Sequence, residues 1–455
     1  MPPGEGVVLS QTESLCPECL ARIPALKVAV GQDVYIDKTC PEHGEFRIVV
    51  WRGDPSYADW ARPKVPVYPS VPATTIKKGC PFDCGLCPDH RQRTCTALLE
   101  VTERCDLRCS YCFAGSANSN RCDPDMSVIK SWFEALLASG HPCNLQLSGG
   151  EPTLRDDLPG IVAAGRAIGF RFIQLNTNGL RLARDPSFVE RLKEAGLASV
   201  FLQFDGTDDK INRALRGGPF LEAKLQAIDN CEQQGLGVIL VPTLVPRVNT
   251  NNIGNIVRFA FENIHVVRGV HFQPVSYLGR HPRPPSDSDR FTLPEVIRHV
   301  ETQTSGLLRA DNFGPPGCEN ALCSFHGNFV LMPNGNVTAL TRYHHSDACC
   351  RPARAEDGAY NARDFVSEHW SSVPKSQSTK GNTGLSLGEW DILLDRASTH
   401  MLCVSGMVFQ DAWNVDLERL RDCCIHVVAR DGKVVPFCAY NLTSSRGDSL
   451  YRRGC

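Results

Sequence analysis

The residues with the clearest chemical potential are Cys105, Cys109 and Cys112, which stand in C-x3-C-x2-C spacing within the segment TERCDLRCSYCFAG. Three thiolates can bind three irons of a [4Fe–4S] cubane and leave the fourth iron open, whereas a structural cluster is normally held by four cysteines. An iron with an open coordination position can bind an outside ligand. The spacing therefore predicts a reactive cluster.

A second cysteine-rich segment, KKGCPFDCGLCPDHRQRTC, lies directly upstream. It holds four thiols within 16 residues, namely Cys80, Cys84, Cys87 and Cys95. Soft ligands at this density suit either a four-cysteine zinc site or a second cubane. We favour an auxiliary [4Fe–4S] cluster, because the x3 and x2 gaps repeat those of the first motif. Cys105 follows Cys95 by only ten positions, so we expect the two clusters to lie close together.

The amino-terminal segment contains Cys16-Pro-Glu-Cys19 and Cys40-Pro-Glu-His43. This C-x2-C…C-x2-H set has the spacing of a tetrahedral zinc knuckle or of a rubredoxin-like iron site. It predicts one mononuclear Zn or Fe ion with a structural role, and the sequence does not separate the two metals.

The last third of the chain carries further cysteines in GCENALCSFHGNF and RDCCIHVVARDGKVVPFCAYN. A hairpin through Asp431-Gly432 would bring Cys423 or Cys424 near Cys438. We therefore expect another cluster, giving one or two auxiliary clusters in all, with the ligands Cys323, Cys423, Cys438 and Cys318. The isolated thiols are interpreted as buried apolar residues: Cys122, Cys143, Cys231 and Cys403.

A strand–helix alternation surrounds the first motif. The apolar runs predict strands at Ala97–Thr102, Asn144–Leu147, Arg171–Leu175, Ser199–Phe204, Gly237–Val241 and Val270–Pro274, with helices such as Ser127–Ser139 and Pro186–Ala195 between them. Six such units at about 30-residue spacing indicate an α/β fold with a parallel sheet, either open or partly closed, and we expect a (β/α)6 partial barrel. Polar or glycine-rich residues follow each strand, so we expect them to converge on one mouth.

The domain organisation follows from these patterns. Residues 1–79 are predicted to form a metal-binding module and linker, 80–96 the auxiliary cluster segment, 97–280 the partial barrel, and 281–455 a carboxy-terminal region with another cluster. Small cysteine-rich modules therefore stand at both ends of the barrel. Residues 353–388 are polar and irregular, which predicts a loop or insertion.

Bulk composition excludes several classes of protein. The 455 residues are 42% hydrophobic and 22% charged with a net charge of −2, so no basic bias points to nucleic acid. The segment MPPGEGVVLSQTESL lacks the pattern of a signal peptide, and no apolar run is long enough to cross a bilayer. These features predict a cytoplasmic protein.

The cysteine motif, with Tyr111 before its last cysteine, resembles the defining motif of the radical S-adenosylmethionine (SAM) superfamily. The resemblance implies that the open iron chelates SAM and that an electron from an external donor, such as flavodoxin or ferredoxin, splits SAM to give a 5′-deoxyadenosyl radical. Further segments resemble the family's SAM-contacting strand ends. The resemblance therefore implies cofactor-binding roles for Tyr111, Gly149, Gly150, Glu151, Asn176, Asn178, Gln203 and Asp205.

The ordered set CPECL, TCPEHGEF, KGCPFDCGLCPDH, LEVTERCDLRCSYCFA, FQPVSYLGR, DLERLRDCCIH and PFCAYN resembles the tetraether synthase family over nearly the whole chain. That resemblance implies coupling of lipid alkyl chains through hydrogen abstraction from unactivated carbon, with peripheral contact to a membrane surface. Members of the family are also described as pterin methyltransferases, which implies the alternative of a methylase of a small heterocycle. A non-enzymatic iron–sulfur scaffold is disfavoured, because it needs no open iron.

Overall fold

The computed structural model describes residues 6–116, 122–140, 142–342, 354–371 and 389–452, which form two β-sheets and their covering helices. The strands are β1 (Val7–Leu15), β2 (Arg22–Val30), β3 (Asp33–Cys40), β4 (Gly44–Trp51), β5 (Thr96–Thr102), β6 (Asn144–Gly149), β7 (Ile173–Thr177), β8 (Ser199–Gln203), β9 (Gly237–Val241), β10 (Thr243–Leu244), β11 (Val267–Pro274), β12 (Ser324–Leu331), β13 (Val337–Ala339), β14 (Met401–Met407), β15 (Ile425–Val428) and β16 (Val434–Pro436). The helices are α1 (Tyr57–Trp60), α2 (Met126–Ala138), α3 (Leu158–Ile168), α4 (Leu180–Arg184), α5 (Pro186–Glu194), α6 (Asp209–Arg216), α7 (Leu221–Gln233), α8 (Ile253–Glu262), α9 (Leu293–Gln303), α10 (Ala355–His369), α11 (Glu389–Thr399), α12 (Leu417–Arg421) and α13 (Phe437–Asn441).

The amino-terminal sheet is antiparallel, with strand order β1-β2-β3-β4. Polar contacts attach it to the carboxy-terminal part of the chain. The Asp416 carboxylate accepts a hydrogen bond from Thr12 Oγ1 at 2.6 Å and pairs with Lys27 Nζ at 2.6 Å. Because Asp416 is fully buried, this contact fixes the sheet against α12.

The second sheet has the order β13-β12-β14-β11-β9-β8-β7-β6-β5-β15-β16, with β10 beside β11. All six predicted strands are present in its centre as β5, β6, β7, β8, β9 and β11, paired in parallel. β9, for example, is buried at every residue, as expected of a strand covered on both faces. The prediction of a parallel α/β fold is therefore confirmed, and we call these six strands with their covering helices the barrel.

The sheet extends beyond the predicted six strands. β14 lies parallel to β11, and β15 lies parallel to β5, so the carboxy-terminal region supplies strands to both sides of the central sheet. The antiparallel strands β12, β13 and β16 continue it at the edges. The sequence does not reveal this arrangement, because more than a hundred residues separate β14 from β11 and β15 from β5.

The predicted loop of residues 353–388 contains a helix, α10, within its described part. The carboxyl end of α10 approaches the amino-terminal ends of the central strands. Arg268 Nε donates to the His369 carbonyl oxygen at 3.4 Å, and a Cβ added to Gly237 would lie 2.8 Å from the Trp370 carbonyl oxygen. The amino-terminal end of the barrel is therefore partly covered by α10 and Trp370.

The longest helix in the described part of the chain is α10, with 15 residues. None of the helices there combines the length and the apolar character that crossing a bilayer requires.

Candidate active site and metal centres

The loop that follows β5 places Cys105, Cys109 and Cys112 on one wall of a cavity of about 310 Å³. Leu107 and Leu180 pack against the three thiols. Burial raises the pKa of the Cys105 thiol to about 12, so this residue ionises readily only when a metal takes the proton's place. Three thiols facing one space fit the predicted three-cysteine cluster.

Backbone contacts across the barrel mouth fix this cysteine loop. The main chains of Cys112 and Arg280 exchange two hydrogen bonds of 2.9 Å, and Arg280 Nε donates to the Cys109 carbonyl oxygen at 3.0 Å. A Cβ at Gly279 would lie 2.4 Å from the Phe113 carbonyl oxygen, so only glycine allows this approach. The loop is thus held by the segment that follows β11.

The Gly149-Gly150-Glu151 turn packs its backbone directly against the loop after β5. Gly150 N donates to the Thr102 carbonyl oxygen at 2.8 Å, and Glu151 N donates to the Arg104 carbonyl oxygen at 2.8 Å. Gly149 has a φ of 123°, and a Cβ added to Gly150 would lie 2.0 Å from the Arg104 carbonyl oxygen. A side chain at either position would push the two strand ends apart.

Gly150→Ala is expected to lower the free energy of unfolding by more than about 2 kcal/mol and to abolish SAM binding, because the added methyl group meets backbone. Gly160→Ala is the matched control. Gly160 is exposed in α3, with only the Met126 methyl group at 3.9 Å from an added Cβ. Calorimetric unfolding and SAM titration test the pair, and equal behaviour of both variants would contradict the packing argument.

The Glu151 carboxylate lies buried at the centre of the strand ends. It accepts four hydrogen bonds, from Thr153 N at 3.1 Å, Thr153 Oγ1 at 2.7 Å, Thr177 Oγ1 at 2.7 Å and Asn178 N at 2.7 Å. Burial nevertheless raises the pKa of this carboxyl group. Asn178 Nδ2 in turn donates to Asp106 at 2.7 Å, which ties the end of β7 to the cysteine loop.

Most of the predicted cofactor-binding residues line the cavity. The lining includes Tyr111, Gly149, Gly150, Glu151, Asn176, Asn178 and Gln203. Asp205 is placed differently, because its carboxylate is fully buried in a bidentate pair with Arg216 at 2.6 and 2.7 Å. It also accepts from Thr243 N at 3.0 Å. Asp205 therefore has its partners within the protein.

Two buried cations near the cysteine loop were not predicted. Arg216 also contacts the Cys109 thiol. Lys224 Nζ donates to the Asn178 carbonyl oxygen and to Gln203 Oε1, the latter at 3.4 Å, and burial lowers its pKa to about 8. Both residues lie on helices, outside the strand-end segments from which the site was predicted. Their positive charges suit a site that binds anionic thiolates and a carboxylate.

The barrel interior carries a group of amide side chains, which we call the amide group: Gln146, Gln174, Asn176, Gln203 and Gln273. Gln146 Nε2 donates to Gln174 Oε1 at 2.8 Å, and Asn176 Nδ2 lies 3.4 Å from Gln146 Oε1. The buried Oδ1 of Asn176 has no hydrogen-bond partner among the described residues. An unpaired buried acceptor facing a cavity is typical of a ligand-binding site.

Aromatic residues close the interior opposite the cysteine loop. The rings of Phe201 and Trp370 stack at 6.1 Å with an interplanar angle of 22°, and His271 lies 5.5 Å from Phe201. Burial lowers the pKa of His271 to about 4, so its imidazole is neutral near pH 7. Its Nδ1 lies 2.9 Å from Ser405 Oγ.

The amino-terminal metal set is assembled as the spacing predicts. One ligand atom from each of Cys16, Cys19, Cys40 and His43 lies within 4.8 Å of the others. His43 Nδ1 is 3.6 Å from Cys16 Sγ and 3.5 Å from Cys40 Sγ. Nitrogen and sulfur donors at this separation suit a single tetrahedral zinc or iron ion.

The remaining cysteines group differently from the expectation. Cys80 and Cys84 are in contact with each other, and Cys87 lies beside Cys80. Cys95 instead contacts Cys318 and Cys424. The third set is formed by Cys323, Cys423 and Cys438. Cys95 and Cys318 were assigned to two separate sets, and the structure places them together.

The nearness of Cys95 to Cys105 in sequence does not make them neighbours in space. Cys95 immediately precedes β5, and Cys105 follows that strand's carboxyl end. A seven-residue strand spans about 20 Å, so the two cysteines lie at opposite ends of the barrel. Closeness in sequence does not give closeness in space here, because the residues between the two cysteines form an extended strand.

Family models match two parts of the chain. The radical SAM superfamily model matches residues 99–260, and a model described as the HMPTM N-terminal zinc ribbon domain matches residues 8–52. These ranges contain the cysteine motif of the barrel and the Cys16–His43 set, respectively.

Several curated proteins and solved structures are similar to the chain. The "7,8-dihydro-6-hydroxymethylpterin dimethyltransferase" of Methanocaldococcus jannaschii is 36% identical over 95% of this chain and 93% of its own length. The "GTP 3',8-cyclase" of Klebsiella pneumoniae is 33% identical over 33% of this chain and 46% of its own. The structure of Streptococcus suis SuiB bound to S-adenosylmethionine has a TM-score of 0.38 at 20% identity, covering 48% of each chain.

The first of these relatives is similar over almost the whole of both chains, and the superfamily model covers the segment that carries Cys105, Cys109 and Cys112. The chain is therefore a radical SAM enzyme and belongs to the same family as the pterin dimethyltransferase.

Proposed function

We propose that the protein is a radical SAM methyltransferase whose substrate is a reduced pterin or a similar small heterocycle. The relative with 36% identity over 95% of the chain carries the name of such an enzyme, which supports this reading. When bound, the [4Fe–4S] cluster and SAM would supply the hydrogen-abstracting chemistry. Cys105, Cys109 and Cys112 would hold the cluster, and an external flavodoxin or ferredoxin would supply the electron.

The observation that carries the proposal is the amide group facing the cavity beside a stacked aromatic pair. A pterin presents alternating donors and acceptors around its edge, which amide side chains can match. Its flat faces suit aromatic neighbours such as Phe201 and Trp370. The unpartnered Asn176 Oδ1 offers an acceptor to a ring N–H or an amino group. The site thus combines polar edges with a stacking surface.

Coupling of lipid alkyl chains, the first expectation from the sequence, fits this interior less well. Apolar residues such as Leu98, Val241 and Met407 also line the cavity, and the amide group shares the lining with them. An alkyl chain forms no hydrogen bonds, so covering an unpaired amide with it costs about 1–3 kcal/mol per polar group. This penalty favours a substrate with its own polar groups.

The protein's own residues would bind and orient the reactants. Glu151 and Asn178 follow the carboxyl ends of their strands on the side of the cysteine loop, while Gln146 and Gln174 of the amide group lie earlier in β6 and β7. Arg216 and Lys224 place positive charge behind the loop. The neutral His271 imidazole and Trp370 would exclude water from the far end of the cavity.

The proposal is tested by incubating the reconstituted enzyme with reduced 6-hydroxymethylpterin and SAM that carries an isotopic label in its methyl group. We expect the label in a pterin product of higher mass. Gln273→Leu should raise KM for the pterin by about tenfold or more, because it removes an amide that lines the cavity and so leaves a polar group of the substrate unpaired. The control Gln226→Leu changes an exposed amide and should leave KM unchanged.

Two results would contradict the proposal. One is a pterin whose mass does not change while 5′-deoxyadenosine still accumulates. The other is the joining of two molecules of an added alkyl lipid without transfer of the labelled methyl group. That result would support the alkyl-coupling hypothesis instead.

A further inference from the structure

The segment 443–452 forms a hairpin that lies between three cysteine-bearing parts of the chain. The main chains of Thr443 and Ser449 pair as an antiparallel bridge. Gly447, with a φ of 89°, lies in the turn between them, where the chain reverses its direction. We call this hairpin the clasp, and the turn is its tip.

The tip of the clasp contacts the turn that carries two of the amino-terminal metal ligands. Ser445 N donates to the Pro17 carbonyl oxygen at 2.8 Å, and the Ser445 hydroxyl donates to the Glu18 carboxylate. Pro17 and Glu18 are the two residues between Cys16 and Cys19. A tetrahedral ion fixes the shape of such a turn, so the tip rests on a surface that the ion orders.

The first residue of the clasp supports one side of the cysteine loop. Gly279 N donates to Thr443 Oγ1 at 3.0 Å, and the Thr443 hydroxyl donates to the Asn441 carbonyl oxygen at 2.9 Å. Gly279 packs directly on the loop, because a Cβ added to it would lie 2.5 Å from the Cys112 carbonyl oxygen. Thr443 therefore helps to fix the segment against which the third cysteine of the loop is held.

The last residue of the clasp supports the other side of the loop. Arg452 Nη1 donates to Glu100 Oε2 at 3.0 Å, and Arg452 Nη2 donates to the second oxygen of the same carboxylate. Arg452 Nη1 also lies 3.5 Å from the carbonyl oxygen of Ala114, just after the loop. Glu100 belongs to β5, which leads into the loop. The two side chains are 16% and 12% exposed, so water weakens this bidentate pair little.

Tyr451 attaches the end of the clasp to the segment that carries Cys80 and Cys84. Its phenol oxygen donates to the Pro81 carbonyl oxygen at 2.6 Å and accepts from Cys84 N at 2.8 Å. Both partners are main-chain groups. The residue that precedes Arg452 is therefore held independently of the cysteine loop, which gives the arginine a fixed support.

We propose that the clasp positions the cysteine loop for SAM binding, with Thr443 and Arg452 as positioning residues. Through the tip, the ion of the amino-terminal sheet contributes to the same positioning. Neither side chain lines the cavity, so both act on SAM through the loop. The inference goes beyond the proposed methylation and does not depend on the identity of the substrate.

The first test is SAM titration of Arg452→Met in the anaerobically reconstituted full chain, with iron and sulfide counted in parallel. Iron and sulfide should equal those of the wild type, because all the cysteines remain. The Kd for SAM should rise about tenfold, and 5′-deoxyadenosine formation should fall by about tenfold or more, because the loop is misplaced. The electron paramagnetic resonance spectrum of the reduced cluster should also respond less to added SAM.

Lys433→Met is the control for the loss of a cation near the clasp. Lys433 is exposed on the turn between β15 and β16, where it pairs with Asp431 at 2.6 Å. This variant should bind SAM as the wild type does. Wild-type SAM affinity in Arg452→Met would overturn the proposal.

Thr443→Val and Thr443→Ser provide a second comparison that leaves Arg452 in place. Valine has a similar shape but lacks the hydroxyl group, whereas serine retains it. We expect weaker SAM binding in the valine variant and wild-type binding in the serine variant. Equal SAM affinity in the two variants would show that the hydroxyl group does not position the loop, and it would overturn the role of Thr443.

A double-mutant cycle tests the link to the amino-terminal ion. Cys19→Ala removes one ligand of that ion, and metal counting confirms the loss. Alone, it should weaken SAM binding about threefold or more, and in the Arg452→Met background it should have a smaller effect, because the clasp is already impaired. Independent effects of the two changes, or wild-type SAM affinity in Cys19→Ala, would overturn the link. None of these measurements uses a pterin, so a failure of the proposed methylation would be seen separately.

Discussion

Replacing Cys105, Cys109 or Cys112 with alanine is expected to abolish the formation of 5′-deoxyadenosine from SAM. Each thiol faces the cavity from the loop after β5, and among the described residues no spare cysteine joins the three to take over a lost ligand. With two thiolates the cubane is not retained, so about four irons and four sulfides should be lost per chain. The other metal centres should remain, since their ligands lie elsewhere.

The measurement is anaerobic reconstitution, followed by metal and sulfide counting and by chromatography of the products of SAM cleavage. Cys231→Ala serves as the control, because its thiol is buried in the core and outside every metal set. Undiminished 5′-deoxyadenosine formation in any of the three alanine variants would refute the assignment of that cysteine.

The central fold could be predicted because its signals are local. Each parallel strand is a short apolar run followed by polar or glycine-rich residues, as in β9 before Pro242 and β6 before Gly150. For the six central strands, the predicted bounds differ from the structure only at the strand ends. For example, β7 begins at Ile173 rather than at Arg171. The flanking strands β14 and β15 were missed, since pairing across such long sequence separations leaves no local pattern.

The metal ligands show the same difference between patterns within a short sequence segment and contacts between distant segments. Spacing within each short motif is local information: the structure brings Cys16, Cys19, Cys40 and His43 together from two turns, and Cys105, Cys109 and Cys112 line one cavity. Spacing cannot show which way a strand runs between two cysteines. The prediction therefore placed Cys95 close to Cys105. In the structure, β5 carries the chain from Cys95 to the opposite end of the barrel.

The amide group could have been found in the sequence. Gln146 and Gln174 stand at alternating positions between leucine and isoleucine residues in strands whose other residues are buried. Polar side chains with a period of two in a parallel strand indicate that one face looks into a polar interior.

Arg216→Met is expected to have the largest effect of any single change away from the metal ligands. The side chains of Arg216 and Asp205 are 4% and 0% exposed and form two hydrogen bonds of 2.6 and 2.7 Å. Removing one partner leaves a buried carboxylate unpaired, which costs about 3–5 kcal/mol of unfolding free energy. Because Arg216 also contacts the Cys109 thiol, the loss of its positive charge should make the cluster's midpoint potential more negative.

Two further variants separate the roles of charge and structure. Arg213→Met removes an exposed arginine from the same helix, so stability should change by less than about 0.5 kcal/mol and the potential should stay constant. Asp205→Asn combined with Arg216→Met removes both charges and keeps an acceptor for Thr243 N, so it should recover most of the lost stability and part of the potential. Chemical unfolding and redox titration followed by electron paramagnetic resonance measure both effects. A midpoint potential in Arg216→Met equal to that of Arg213→Met would show that Arg216 supports the fold without acting on the cluster.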